Sequence, residues 1–137
     1  MAGPVRELRV ALTAPDFGEA VRFYRDALGL PALEEWETED GSGVILDAGR
    51  ATLELLSQDQ TAYVDEIEAG RAGVSGPVRL ALEVADSGAT AEVLAAAGGE
   101  RLAKPVVTPW RHWNVRLRAP GGMQLTLFTV LDEDGDG

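Results

Sequence analysis

The sequence predicts an α+β domain built from two βαβββ repeats, whose strands form a curled mixed sheet around a concave cavity with the helices outside. Three observations predict it. Each half of the chain runs strand, helix, then three short strands. The two halves fall in register at a constant offset, residue n meeting residue n+70, so that Arg9 meets Arg79, Leu12 meets Leu82, Asp16 meets Asp86 and Gly29 meets Gly99. The strands also carry one apolar face and one mixed face, as a trough with a packed back requires.

The first element is a strand over Val5 to Thr13, with Leu8, Val10 and Leu12 on one side and Arg9, Ala11 and Thr13 on the other. Pro15-Asp16 ends it. Asp16 caps a helix with Glu19 placed as in a capping box, and Phe17, Ala20, Val21, Tyr24, Ala27 and Leu28 form its apolar stripe. Gly29 stops the helix. Strands are predicted over Leu33 to Thr38, Val44 to Asp47 and Thr52 to Leu56, separated by glycine-containing turns. Ser57 to Gly76 is a polar connector with a short helix near Tyr63 to Glu68. The pattern then restarts with a strand over Val78 to Val84 and a helix from Asp86 to Ala97, stopped by Gly98-Gly99. Strands over Arg101 to Val107, Trp113 to Arg118 and Met123 to Val130 complete the second copy.

One domain is expected over residues 1–131, with repeats at about 5–57 and 77–130, and residues 132–137 form an acidic tail expected to be disordered. A chain of 137 residues buries roughly two thirds of its unfolded surface. The absence of cysteine removes disulfides, thiolate metal sites and cysteine nucleophiles. A net charge of -11 argues against nucleic acid, which requires clustered cations. Neither a basic-apolar leader nor an apolar run near 20 residues is present, so a soluble, cytoplasmic protein with no membrane partner is expected. No phosphate-binding glycine loop, dinucleotide fingerprint or serine nucleophile elbow occurs.

The segment Val21-Arg22-Phe23-Tyr24-Arg25-Asp26-Ala27-Leu28-Gly29-Leu30 after Asp16, and the turn Ala119-Pro120-Gly121-Gly122 before Met123, resemble signatures of the vicinal oxygen chelate superfamily. Glyoxalase I, extradiol dioxygenases, fosfomycin-resistance transferases and bleomycin-resistance proteins belong to it. The resemblance covers about residues 5 to 130. It implies a divalent metal on the concave face, held by His and Glu at four strand positions. In this sequence those positions are Arg9, Glu54, Arg79 and Thr126, and only Glu54 keeps the usual type. Arginine has no lone pair to donate. The resemblance therefore implies the metal-free, antibiotic-binding branch: no cofactor, no metal and no catalytic residue, with a homodimer whose cavities lie between subunits.

The expected activity is metal-independent sequestration of an aromatic or drug-like natural product. The alternative is a glyoxalase- or dioxygenase-like lyase or isomerase with an atypical site. Candidate ligand-binding residues are Arg9, Trp36, Glu54, Arg79, Trp110, His112, Trp113, Thr126 and Phe128. Arg9 and Glu54 have two readings, a salt bridge filling the former metal position or direct ligand contact. Trp110 and Trp113 flank Arg111 and His112 in a loop where flat rings could stack on a planar ligand, or pack in the core or a dimer interface. Trp36 stands either at the cavity mouth or in a dimer contact.

Overall fold

Two aspartates start the two helices that the repeat pattern predicts. The computed structural model describes residues 6–131 apart from Leu8, Thr52, Leu53 and Leu55. Asp16 accepts from the Glu19 backbone N–H at 3.0 Å and opens α1 (Phe17–Val21), which continues as a π-helical segment, Arg22–Ala27. The wider winding shows in Leu28 N–H donating to Phe23 O at 2.9 Å. Asp86 repeats the cap at Ala89, 2.9 Å, and opens a helix over Ser87–Ala96 that is α3 in chain order.

Between them come the hairpin strands β1 (Ala32–Thr38) and β2 (Gly41–Leu46), then helix α2 (Gln58–Ala69), capped by Ser57 and closed by Gly70 at φ 79°. The second half supplies β3 (Leu80–Glu83), β4 (Glu100–Arg101), β5 (Val106–Val107), β6 (His112–Arg118) and β7 (Gln124–Val130). These form a mixed five-stranded sheet of order β3-β7-β6-β4, with β5 also on β6; β3 and β7 are parallel and the other pairs antiparallel. The architecture is α+β, as the sequence predicts.

The repeats are not equally realised. Residues 9–13, expected as a strand, join no ladder, and neither do Glu54 and Leu56. Val5, Leu8, Thr52, Leu53 and Leu55 of those two expected strands, and the expected tail at 132–137, lie outside the described residues. A strand is stable only when a neighbour satisfies its backbone groups and covers its apolar face. Here Val10 and Leu12 remain 49% and 40% exposed. The hairpin β1–β2 forms a sheet of its own.

The helices of the two repeats share one core. Phe23 from the first repeat is buried in the same cluster as Ala91 and Leu94 of α3 and Val115, Leu117, Leu125 and Leu127 of the second sheet. Both helices thus pack on one side of one sheet. Beside Gly99 a Cβ would meet Leu94 O in the last turn of α3 at 2.8 Å and the Phe23 ring of the first repeat at 3.3 Å.

Candidate functional site

The opposite side of the five-stranded sheet is polar, and strand alternation dictates which residues stand there. The cross-strand partners Arg116↔Thr126 and Asn114↔Phe128 put Asn114 and Arg116 of β6 beside Thr126 and Phe128 of β7, while Val115 and Leu117 point into the core. Ala81 is the β3 partner of Thr126, and Arg79 precedes that strand.

Helix α2, the connector between the repeats, lies over this face. Its buried residues are Val64, Asp65 and Glu68. Asp65 and Glu68 are three apart and therefore neighbours on one helix face. Glu68 meets three residues of the sheet, and Arg79 just before β3. Its Oε1 accepts from Arg116 Nη2 at 2.8 Å and from Thr126 Oγ1 at 3.2 Å, and its Oε2 accepts from Asn114 Nδ2 at 2.8 Å. Arg79 Nη1 stands 3.9 Å from Glu68 Oε1 and donates to Thr126 Oγ1 at 2.5 Å. Thr126 therefore accepts from Arg79 and donates to Glu68.

Asp65 is held differently. It accepts from the backbone N–H groups of Val74 and Ser75 at 3.1 and 2.9 Å, from Ser75 Oγ at 2.6 Å and from Arg116 Nη1 at 3.0 Å. Gln124 completes the cluster: its Oε1 accepts from Arg116 Nη1 at 3.0 Å, and its Nε2 donates to Val74 O. Burial pushes the Asp65 carboxyl up, but the hydrogen bonds from Ser75 and the contact with Arg116 outweigh it and hold the group below its ordinary range. Arg79 is pulled below its ordinary value by burial first and then by the positive charge of Arg116; Glu68, Asp65 and Glu54 oppose this. Arg116 is fully buried, and its Nε, like Asn114 Oδ1, has no hydrogen-bond partner among the described residues.

Beside Asn114 the face turns aromatic. His112 stacks on Phe128 with ring centroids 4.8 Å apart and planes at 18°. The turn that leads into β6 is clamped by buried Thr108, whose N–H donates to His112 O at 2.8 Å and whose Oγ1 accepts from His112 N–H at 3.1 Å. Trp110 rides on this turn, 37% exposed.

Of the sequence candidates, the structure thus gathers Arg79, Thr126, His112 and Phe128 on one face, with Trp110 at the turn beside it. The others stand elsewhere. Arg9 is exposed and paired with Glu7 at 2.9 Å, which corrects the expected pairing with Glu54. Glu54 is exposed and contributes to the site through its charge on Arg79. Trp113 stands on the far face, its ring against the first turn of α3, where a Cβ on Gly88 would lie 2.8 Å from it. Trp36 belongs to the separate hairpin and lies over Gly43.

Sequence reasoning missed Asp65, Glu68, Asn114, Arg116 and Gln124 as site residues. The signal for Asn114 and Arg116 was the alternation along His112–Arg118, and for Asp65 and Glu68 their spacing on the connector helix. The open trough was also overestimated, because α2 occupies it. A groove of about 190 Å³ opens elsewhere, between Pro15, Asp16 and Glu19 at the start of α1 and Pro120-Gly121.

The four positions that the resemblance assigns to a metal do not fit one. Arg79 and Thr126 are brought together but bonded to each other, a guanidinium offers no lone pair, and Arg9 is engaged with Glu7.

Residues 8–135 match the family model described as the Glyoxalase/Bleomycin resistance protein/Dioxygenase superfamily. The chain belongs to that superfamily. Among curated proteins, the uncharacterized protein YraH of Bacillus subtilis (strain 168) is 35% identical over 57 residues, a match spanning 42% of this chain and 43% of that protein. Solved structures agree over far more of the chain. A hypothetical protein SA1046 from S. aureus superposes with TM-score 0.61 at 17% identity, covering 93% of this chain and 95% of that one. A glyoxalase/bleomycin resistance protein/dioxygenase family enzyme from Burkholderia phytofirmans PsJN gives 0.58 at 18%, covering 87% and 93%. Lactoylglutathione lyase from Agrobacterium tumefaciens gives 0.56 at 22%, covering 93% and 96%. At these identities the likeness shows the fold and no activity. No helix among the described residues is long and apolar enough to cross a membrane.

Proposed function

We propose that this superfamily member is a metal-independent binding protein that sequesters an aromatic or drug-like natural product, in the manner of an antibiotic-resistance protein of the cytoplasm. The observation that carries the reading is the composition of the polar sheet face. The Arg79–Thr126 bond replaces metal-ligand chemistry, and the stacked pair His112–Phe128 offers a flat apolar surface on the same face. Planar ligands gain from offset stacking on such rings. Exposed Val10, Leu12, Leu33 and Trp36 in the first repeat support a homodimer, since a second copy would cover them and complete a cavity between subunits.

A tryptophan-fluorescence titration tests the reading. It is run with chelator present, against bleomycin-, mitomycin-, anthraquinone- and flavin-like compounds. Saturable quenching with the compound recovered unaltered supports sequestration. Recovery of a chemically changed compound would instead favour a lyase or isomerase with an atypical site, and absence of any response would overturn the binding reading.

A further inference from the structure

Glu68 is bound as a ligand would be. Among the described residues, the hydrogen-bond donors to its carboxylate are side chains of the sheet: two reach Oε1, Arg116 at 2.8 Å and Thr126 at 3.2 Å, and one reaches Oε2, Asn114 at 2.8 Å. Arg79 adds a second positive charge at 3.9 Å. The cradle is built, because Arg116, Asn114 and Thr126 are 0%, 2% and 2% exposed. It also keeps a donor in reserve, since Arg116 Nε has no partner among the described residues.

Besides Glu68, helix α2 is held to the sheet by the buried Asp65–Arg116 pair at 3.0 Å. Of its three buried residues, only Val64 is apolar. Asp65 is tied both to Arg116 and to the backbone of Val74 and Ser75 in its own connector, so it can keep that connector and Arg116 in place while Glu68 leaves. Withdrawing Glu68 would leave Arg79 and Arg116 facing each other with one counter-charge removed, a state that a second carboxylate relieves.

We infer that the cradle of Arg79, Asn114, Arg116 and Thr126 is a carboxylate-binding site that Glu68 fills when no ligand is present, and that the ligand of this protein is an aromatic compound bearing a carboxylate. The inference rests on the proposed binding function and names the ligand class for the same face. The carboxylate replaces Glu68, and the ring reaches toward His112 and Phe128. The protein as a whole is acidic, so the site selects its anion by local convergence of donors and not by long-range attraction.

The experiment is a calorimetric titration of the full chain with naphthoate and with its neutral counterpart naphthamide, comparing wild type, Glu68→Gln and Arg79→Gln. An internal competitor lowers apparent affinity by the fraction of molecules in which the site is open, so Glu68→Gln is expected to tighten naphthoate binding by on the order of tenfold. Arg79→Gln is expected to weaken naphthoate far more than naphthamide, because only the former carries the charge that Arg79 answers. Hydrogen exchange in α2 should rise when naphthoate binds. Equal affinity for the two compounds, insensitive to Glu68→Gln, would overturn the carboxylate inference and leave aromatic binding standing. Binding of neither compound to any variant would overturn the carboxylate inference, and the binding reading would then stand or fall on the fluorescence panel alone. Should Glu68→Gln melt too low to titrate, Arg79→Gln alone decides: unchanged naphthoate affinity sinks the cradle.

Discussion

Arg116 of β6 and Glu68 of α2 meet at 2.8 Å with side chains 0% and 5% exposed, so the seam between the inter-repeat helix and the sheet is closed by an ion pair out of contact with solvent. Such a pair gains little over an apolar seam but is costly to break on one side, because the surviving charge stays buried. Arg116→Met would strand Asp65 and Glu68 together. A loss of about 3–5 kcal/mol is expected. Urea unfolding followed by circular dichroism measures it. A loss below about 1 kcal/mol, the scale of exposed pairs, would show that the seam is open to water.

Acid should loosen the same seam. Asp65 titrates below its ordinary range in the folded protein, so the unfolded chain takes up that proton first. Its contribution is fully present above the unfolded carboxylate value of about 3.9 and is lost as pH falls through the lower folded value. The urea midpoint is therefore expected to drop below about pH 4, and Asp65→Asn to flatten that part of the profile. An identical slope in wild type and variant would remove Asp65 as the cause.

The caps offer a test of the repeat itself. Asp16 and Asp86 make the same bond at equivalent positions, 3.0 Å to Glu19 and 2.9 Å to Ala89. Either aspartate changed to alanine should cost about 1 kcal/mol. The two costs are expected to be similar, because both helices pack into one core. A markedly smaller cost for Asp16→Ala, read from thermal unfolding, would mean that the first helix frays independently of the sheet.

Much of this was legible in the sequence for a physical reason. Caps, glycine stops and alternation are local, and Asp16, Asp86 and Gly29 act through neighbours a few residues away. That the strands carry one mixed face followed from period-two alternation, and the resemblance set Arg79 and Thr126 on it. What sequence did not show is who covers that face. Glu68 lies 48 residues from Arg116, and nothing local marks a polar connector as the lid of a trough. The strand expected at Val5 to Thr13 failed in its described part for the same reason: alternation says that a segment can be a strand, but pairing requires a neighbour that only the tertiary arrangement supplies.

The three tryptophans should respond to a ligand in different ways. Trp113 is packed against the first turn of α3 on the core side of the sheet, where a Cβ on Gly88 would lie 2.8 Å from its ring. Trp110 is 37% exposed on the turn that carries His112, the residue stacked on Phe128. A ligand lying on the His112–Phe128 pair therefore comes near Trp110 and is screened from Trp113 by the sheet itself. Trp110→Phe is expected to remove most of the ligand-induced quenching with little change in affinity. Trp113→Phe should preserve the quenching and lower stability by about 1–3 kcal/mol, as removing atoms from a packed position does. Trp36, 45% exposed on the β1–β2 hairpin, is the internal control. Quenching that persists in Trp110→Phe and disappears in Trp36→Phe would put the ligand against the hairpin and away from the five-stranded sheet.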